Sequence, residues 1–205
     1  MTRVLITGFG RFPGAPFNPS GPLARALAKR RRPAFDGLRR AVHVFETSYA
    51  AVDRDLPKLI AQHRPDIVLM FGLAARTPFV RIEMRARNAK SILFPDISGQ
   101  RPIERAIAPG KPDAYGRAPF ARLLGAARAS KTRVRLSRDA GRYLCNYVYW
   151  RALEASRSGT LAQFIHIPPV AKNPRLPAAK RRPSHAALLR AGEAILVALI
   201  AAHRR

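Results

Sequence analysis

The stretch Asp66-Ile67-Val68-Leu69-Met70-Phe71-Gly72 decides the fold class, because every position between the aspartate and the glycine is apolar and Pro65 precedes the run. A strand with one wet face alternates apolar and polar side chains. One that is apolar throughout belongs in a sheet covered on both faces. The flanking sequence supplies the partners. Residues 4–7 form a short β-branched run closed by Gly8, and Asn18-Pro19-Ser20 reads as the capped start of a helix through residue 29. A strand is expected over 40–47, and a helix over 48–62 that contains Pro57.

Beyond the apolar run, residues 79–88 alternate. Val80, Ile82, Met84 and Ala86 fall on one face, and Arg81, Glu83, Arg85 and Arg87 on the other. This predicts one half-buried strand with Glu83 on its polar side. The segment 94–119 is rich in Pro, Gly and charge, and is long for a connection in a compact domain. A helix over 120–129, a strand over 132–136, a helix over 143–156 and a strand over 162–167 follow. A last helix from 184 to about 202 carries Leu188, Leu189, Gly192, Ile195, Leu196, Leu199 and Ile200 at helical spacing. Strand-like and helix-like segments alternate from end to end, so residues 1–205 read as one α/β domain with a mixed sheet and helices on both faces.

The chain has 205 residues, 47% of them hydrophobic, which excludes an intrinsically disordered chain. Lys and Arg number 38 against 12 acidic residues, a net charge of +26. Such an excess favours polyanions as partners. Here the excess is mostly Arg and is spread along the chain, with denser patches at 29–32, 128–142 and 172–182 rather than one stripe. Weak, non-specific polyanion binding is therefore a secondary expectation. A single cysteine excludes an internal disulfide and a Cys-rich zinc site, and His43, His63, His185 and His203 lack metal-ligand spacing. No metal and no cofactor are expected. No signal-peptide pattern opens the sequence, and its longest apolar run, 194–202, is short for a bilayer span. The expectation is a cytoplasmic protein without a membrane partner.

Three residues carry candidate chemistry, and position alone favours a plainer reading of two of them, Cys145 as a small buried apolar side chain and His166 as a structural histidine at a strand edge. Cys145 follows a strand and the Ala140-Gly141 turn, and falls in the first turn of a helix. Partial positive charge there lowers a thiol pKa, and Arg138 and Arg142 are expected to act the same way. The unpaired N–H groups of that turn suit an oxyanion. His166 ends an apolar strand, where α/β sheets open their active crevice. Glu83, between Arg81 and Arg85, suits a carboxylate that orients an imidazole, or equally a surface ion pair. In the first loop, Phe9 and Phe12 beside Gly8 and Gly10 suit an apolar pocket wall or, equally, aromatics folded into the core, without the spacing of a phosphate loop.

Together these segments resemble the pyroglutamyl peptidase I family, the pyrrolidone-carboxylate peptidases. The resemblance rests on Val4-Leu-Ile-Thr-Gly-Phe-Gly-Arg-Phe12 with Asn18-Pro-Ser20, and on Gly72-Leu-Ala74 followed by Glu83 and Asn88. It continues through Ala140-Gly-Arg-Tyr-Leu-Cys145-Asn146 and Phe164-Ile-His-Ile-Pro168. It implies a three-layer α/β/α sandwich of the phosphorylase/hydrolase-like kind, and a homo-oligomer. It further implies Cys145 as nucleophile, His166 as general base and acid, Glu83 as orienting carboxylate, and Phe9, Phe12, Tyr143 and Leu144 around the lactam ring. The implied substrate is a peptide with an N-terminal pyroglutamate. The chain departs from the family pattern at Ala75-Arg76, where a Gly-Gly-Arg is usual. It departs again at Leu93, where an Arg precedes the Pro-Asp pair, and after His166, where Pro169-Val170-Ala171-Lys172 stands. It therefore reads as a divergent member. The alternatives are a catalytically impaired or repurposed member that binds nucleic acid or other polyanions, and a hydrolase of another acyl group admitted by the altered loop at 75–79.

Overall fold

Side chains that alternate along each strand sort the chain into three layers. The computed structural model describes residues 1–14, 16–171 and 182–204. Strand β1 (Arg3–Phe9) leads to helix α1 (Ser20–Lys29), and β2 (Arg39–Phe45) to α2 (Tyr49–His63). The apolar run forms β3 (Ile67–Leu73), followed by β4 (Val80–Glu83), β5 (Arg85–Ala86) and β6 (Ala114–Tyr115). Then come α3 (Phe120–Ala129), β7 (Val134–Ser137), α4 (Leu144–Ala155), β8 (Leu161–Ile167) and α5 (His185–His203). The main sheet has the order β2-β1-β3-β8-β4-β7. Its first four strands are parallel, and β4 runs antiparallel to β8 but parallel to β7. The sheet is thus mixed, and β8 lies between β3 and β4.

On one face, Val4 and Ile6 of β1, Ile67, Leu69 and Phe71 of β3, and Ile165 and Ile167 of β8 pack with α1, α3 and α5. The opposite parity, Leu5, Val68, Met70, Ala162 and Phe164, packs with α2 and α4. Every residue of β3 from Ile67 to Gly72 is buried. Two helices carry the serine caps that their sequences suggest: Ser48 accepts from Ala51 N at 3.1 Å, and Ser184 from Ala187 N at 3.2 Å. Helix α1 differs. Its N-cap is Pro19, with no side-chain cap, while Asn18 Oδ1 accepts from Ser20 N at 3.0 Å and Ser20 Oγ accepts from Phe9 N at 3.0 Å. That knot needs Gly8, since a Cβ there would stand 2.4 Å from Ser20 O.

By length and composition, α5 would cross a bilayer, although its longest uninterrupted apolar run is short. Its stripe from Leu188 to Ile200 is instead buried on the sheet. The basic patch expected at 172–182 lies, apart from Arg182, outside the described residues.

Residues 79–88 form two strands, not one. Met84 is the pivot: its N–H donates to Ser137 O at 2.7 Å beside β7, and its carbonyl accepts from Gly116 N at 3.0 Å beside β6. β5 pairs only with β6, in a separate two-stranded sheet. The long segment after β5 is fastened through two side-chain amides, the half-buried Asn88 and the buried Asn146. Asn88 bonds Ile107 N, Ala108 N, Ala108 O and Lys111 O, and Asn146 bonds Arg87 N, Arg87 O and Ala89 O. This cover explains why α4 is buried almost all round.

Candidate active site

Strand register places three chemically distinct positions in one row. Gly72 of β3 is opposite His166 of β8, and His166 is opposite Arg81 of β4. Their side-chain direction follows from parity. His166 shares the face of Phe164, and Gly72 that of Val68 and Met70. Arg81 and Glu83 oppose the face of Val80 and Ile82. All of them therefore point toward α4, the helix that begins with Leu144 and Cys145. The polar side of β4 is not a solvent side: Glu83 is 0% exposed.

His166 Nδ1 lies 2.7 Å from Glu83 Oε1 and 3.2 Å from Arg81 Nη2. One ring nitrogen cannot donate to the carboxylate and accept from the guanidinium at once. The shorter, charge-assisted contact identifies an Nδ1–H that donates to Glu83, with Arg81 as an adjacent cation. Arg81 Nε is also 3.1 Å from Glu83 Oε1, near enough for an ion pair but not aligned as a hydrogen bond. The Glu83 carbonyl accepts from Tyr149 Oη at 3.0 Å and Gln163 Nε2 at 2.8 Å, which fixes the backbone that carries the carboxylate. Phe164 packs edge-on against the imidazole, with centroids 4.9 Å apart. This tautomer leaves Nε2 unprotonated and able to accept a proton.

Cys145 is the second residue of α4 and 5% exposed. A Cβ on Gly72 would stand 2.7 Å from its sulfur, so the thiol rests over the strand position beside His166. Only glycine leaves that space. Burial pushes the Cys145 thiol up to about 12, the Glu83 charge pushes the same way, and Arg81 opposes both. This reverses the expectation of a lowered thiol pKa. Arg138 and Arg142 are exposed and solvated, and the cation that acts on the sulfur is Arg81. Burial also lowers the His166 pKa, against the hydrogen bond and charge of Glu83. At neutral pH the resting pair is a thiol and a neutral imidazole.

Cys145 and His166 both line a cavity of about 470 Å³ whose walls include Phe12, Leu73, Phe94, Pro95 and Tyr143. Two of the four expected pocket residues, Phe12 and Tyr143, face it, with ring centroids 5.9 Å apart. The other two do not. Phe9 is buried behind Phe12 at 5.8 Å, and Leu144 is fully buried in the core. The wall at Pro95 is tied down, because Tyr143 Oη donates to Pro95 O at 2.7 Å and the buried Asp96 accepts from Tyr49 N at 3.2 Å and Ser98 N at 2.9 Å. Leu93 is 70% exposed.

Arg85, also expected to flank Glu83, turns away to Asp113 at 3.5 Å. The contact of Arg81 with the imidazole and the support from Gln163 and Tyr149 carry no local signal. Gly72 does have one, a glycine closing an apolar strand, which signals a close approach. Among the described residues, no three His, Cys, Asp or Glu side chains are grouped to hold a metal ion.

Residues 2–205 match the model of the family described as pyroglutamyl peptidase. The chain is 35% identical over 173 residues to the pyrrolidone-carboxylate peptidase of Gloeobacter violaceus, with 81% of each chain covered. It is 32% identical over 170 residues to that of Thermococcus kodakarensis, again covering 81% of each. The solved pyrrolidone carboxyl peptidase of Thermococcus litoralis superimposes with a TM-score of 0.86 at 27% identity, covering 98% of this chain and 94% of that one.

Proposed function

The chain belongs to the pyroglutamyl peptidase family, and from that premise we propose that it is a cysteine exopeptidase that removes N-terminal pyroglutamate from peptides through Cys145, His166 and Glu83. The observation that carries the assignment is the buried Glu83–His166 contact at 2.7 Å in a cavity shared with Cys145. His166 Nε2 takes the thiol proton as Sγ attacks the pyroglutamyl carbonyl, then gives it to the leaving amine. Water attacks the resulting thioester with His166 again as base. Glu83 holds the ring through Nδ1–H and stabilises the imidazolium formed in both steps.

A thiol held near 12 beside an imidazole held below its usual value favours proton transfer during attack over a preformed thiolate. The first turn of α4 has no side-chain cap, so its backbone N–H groups, including those of Leu144 and Cys145, are suited to the developing oxyanion. The lactam ring rests on Phe12 and Tyr143, with Phe9 bracing Phe12 from behind. A neutral, compact ring needs apolar walls and few hydrogen bonds, and the cavity is mostly apolar. The chain acts as one domain in the cytoplasm, where its single thiol stays reduced.

Purified protein should release fluorophore from a pyroglutamyl-coumarin amide and not from the prolyl analogue, whose ring lacks the lactam carbonyl. No release by folded protein anywhere between about pH 6 and 9 would refute the assignment.

A further inference from the structure

The cavity has two ends of different character. At its floor stand Cys145 and His166, where the amide bond that follows the neutral lactam ring is to be cut. At its margin stand Arg76, on the turn between β3 and β4, and Arg142, two residues before α4. Both residues are exposed, and no carboxylate lines the cavity. Each is more than 4 Å from every acidic side chain among the described residues, since neither guanidinium forms an ion pair there.

A neutral ring gives these cations nothing to bind. The part of a substrate that extends from the floor toward solvent begins with the residue after the pyroglutamate, and the exposed lining it can meet includes these two side chains. We propose that Arg76 and Arg142 select peptides that carry a carboxylate side chain on that residue, so that the enzyme prefers pyroglutamyl-Asp and pyroglutamyl-Glu sequences. This specificity rests on the pyroglutamyl peptidase reading of the same site. The rejection side follows from the same charges: a Lys or Arg after the pyroglutamate would meet two unpaired cations and no anion.

The net charge of +26 attracts any acidic peptide, so the test must separate local pairing from bulk steering. Three C-terminally amidated peptides that differ only in Asp, Ala or Lys after the pyroglutamate are compared by kcat/KM at physiological ionic strength, where long-range steering is largely screened. Wild type should favour Asp over Lys by roughly tenfold, mainly through KM, because rim charges act in high dielectric. Arg76→Ala/Arg142→Ala should bring the ratio close to one while cleaving the Ala peptide at the wild-type rate within about twofold. Arg25→Ala, which removes one exposed charge from α1 on the other face of the sheet, should leave the ratio unchanged. Equal rates on all three peptides, or a ratio that the double substitution does not move, overturns the proposal and leaves the peptidase reading intact. Failure to cleave any of the three overturns both.

Discussion

Val80–Glu83 and residues 85–88 are two halves of one alternating pattern, and they lie in opposite environments. In the first half Arg81 and Glu83 face α4, with Glu83 wholly buried against His166. In the second, Arg87 reaches Asp139 at 3.1 Å, with side chains 31% and 58% exposed. Spacing and residue types are nearly the same. What differs is which side chains turn to α4: in β4 they are Arg81 and Glu83, with Val80 and Ile82 on the opposite side of the sheet, whereas past the Met84 pivot it is Ala86 that packs there and Arg85 and Arg87 that turn away. A period of two fixes shared faces only within one strand, and the break at Met84 exchanges which parity turns to α4. An exposed ion pair on one half has as its counterpart on the other a buried carboxylate against an imidazole.

The largest effect should come from breaking the buried half at its centre. Glu83→Gln keeps the shape and removes the charge that stabilises the imidazolium, so kcat should fall by about a thousandfold. Far-ultraviolet circular dichroism should show the fold retained. A loss below about tenfold would place Glu83 outside the catalytic machinery. Next is Gly72→Ala. Its Cβ would stand 2.7 Å from Cys145 Sγ and 2.6 Å from Phe164 Cζ. Displacing either should cost about 1–3 kcal/mol in chemical denaturation, together with a clear drop in kcat.

Arg81→Met sharpens the comparison by removing only the cation. The groups that act on His166 are Glu83 and Asp139, which raise its pKa, and Arg81, which lowers it together with burial. Arg81 lowers the Cys145 pKa as well. Without it both pKa values rise, the imidazole stays protonated to higher pH, and the acid limb of kcat/KM should move upward. An unchanged or downward-shifted profile would show that Arg81 does not act on the pair. The smallest effect belongs to the wet half. Arg87→Ala removes an exposed ion pair and should change stability by no more than about 0.5 kcal/mol, with kcat unaltered.

Much of the fold was readable from local pattern. The apolar stretch became β3, and the stripe of the last helix became the buried side of α5. The insertion of β8 between β3 and β4 was not readable, because strand order is set by non-local pairing that leaves no periodic trace. The site divides the same way. Cys145, His166 and Glu83 each carry only a weak signal by residue type and position, and it is the resemblance that singles them out. The direction of the thiol pKa was misjudged, because helix N-terminal charge is visible in sequence and burial under a neighbouring layer is not. Phe9 and Leu144 show the same limit, since both are apolar residues near the cavity whose places in the core depend on what packs over them.

The central claim is that Cys145 carries the acyl group. Acid-quenching the enzyme during turnover of a pyroglutamyl-coumarin amide, then mapping its peptides by mass spectrometry, tests this directly. The account predicts a pyroglutamyl thioester on the peptide that contains Cys145, and loss of both adduct and turnover in Cys145→Ala. Undiminished turnover by Cys145→Ala would contradict it.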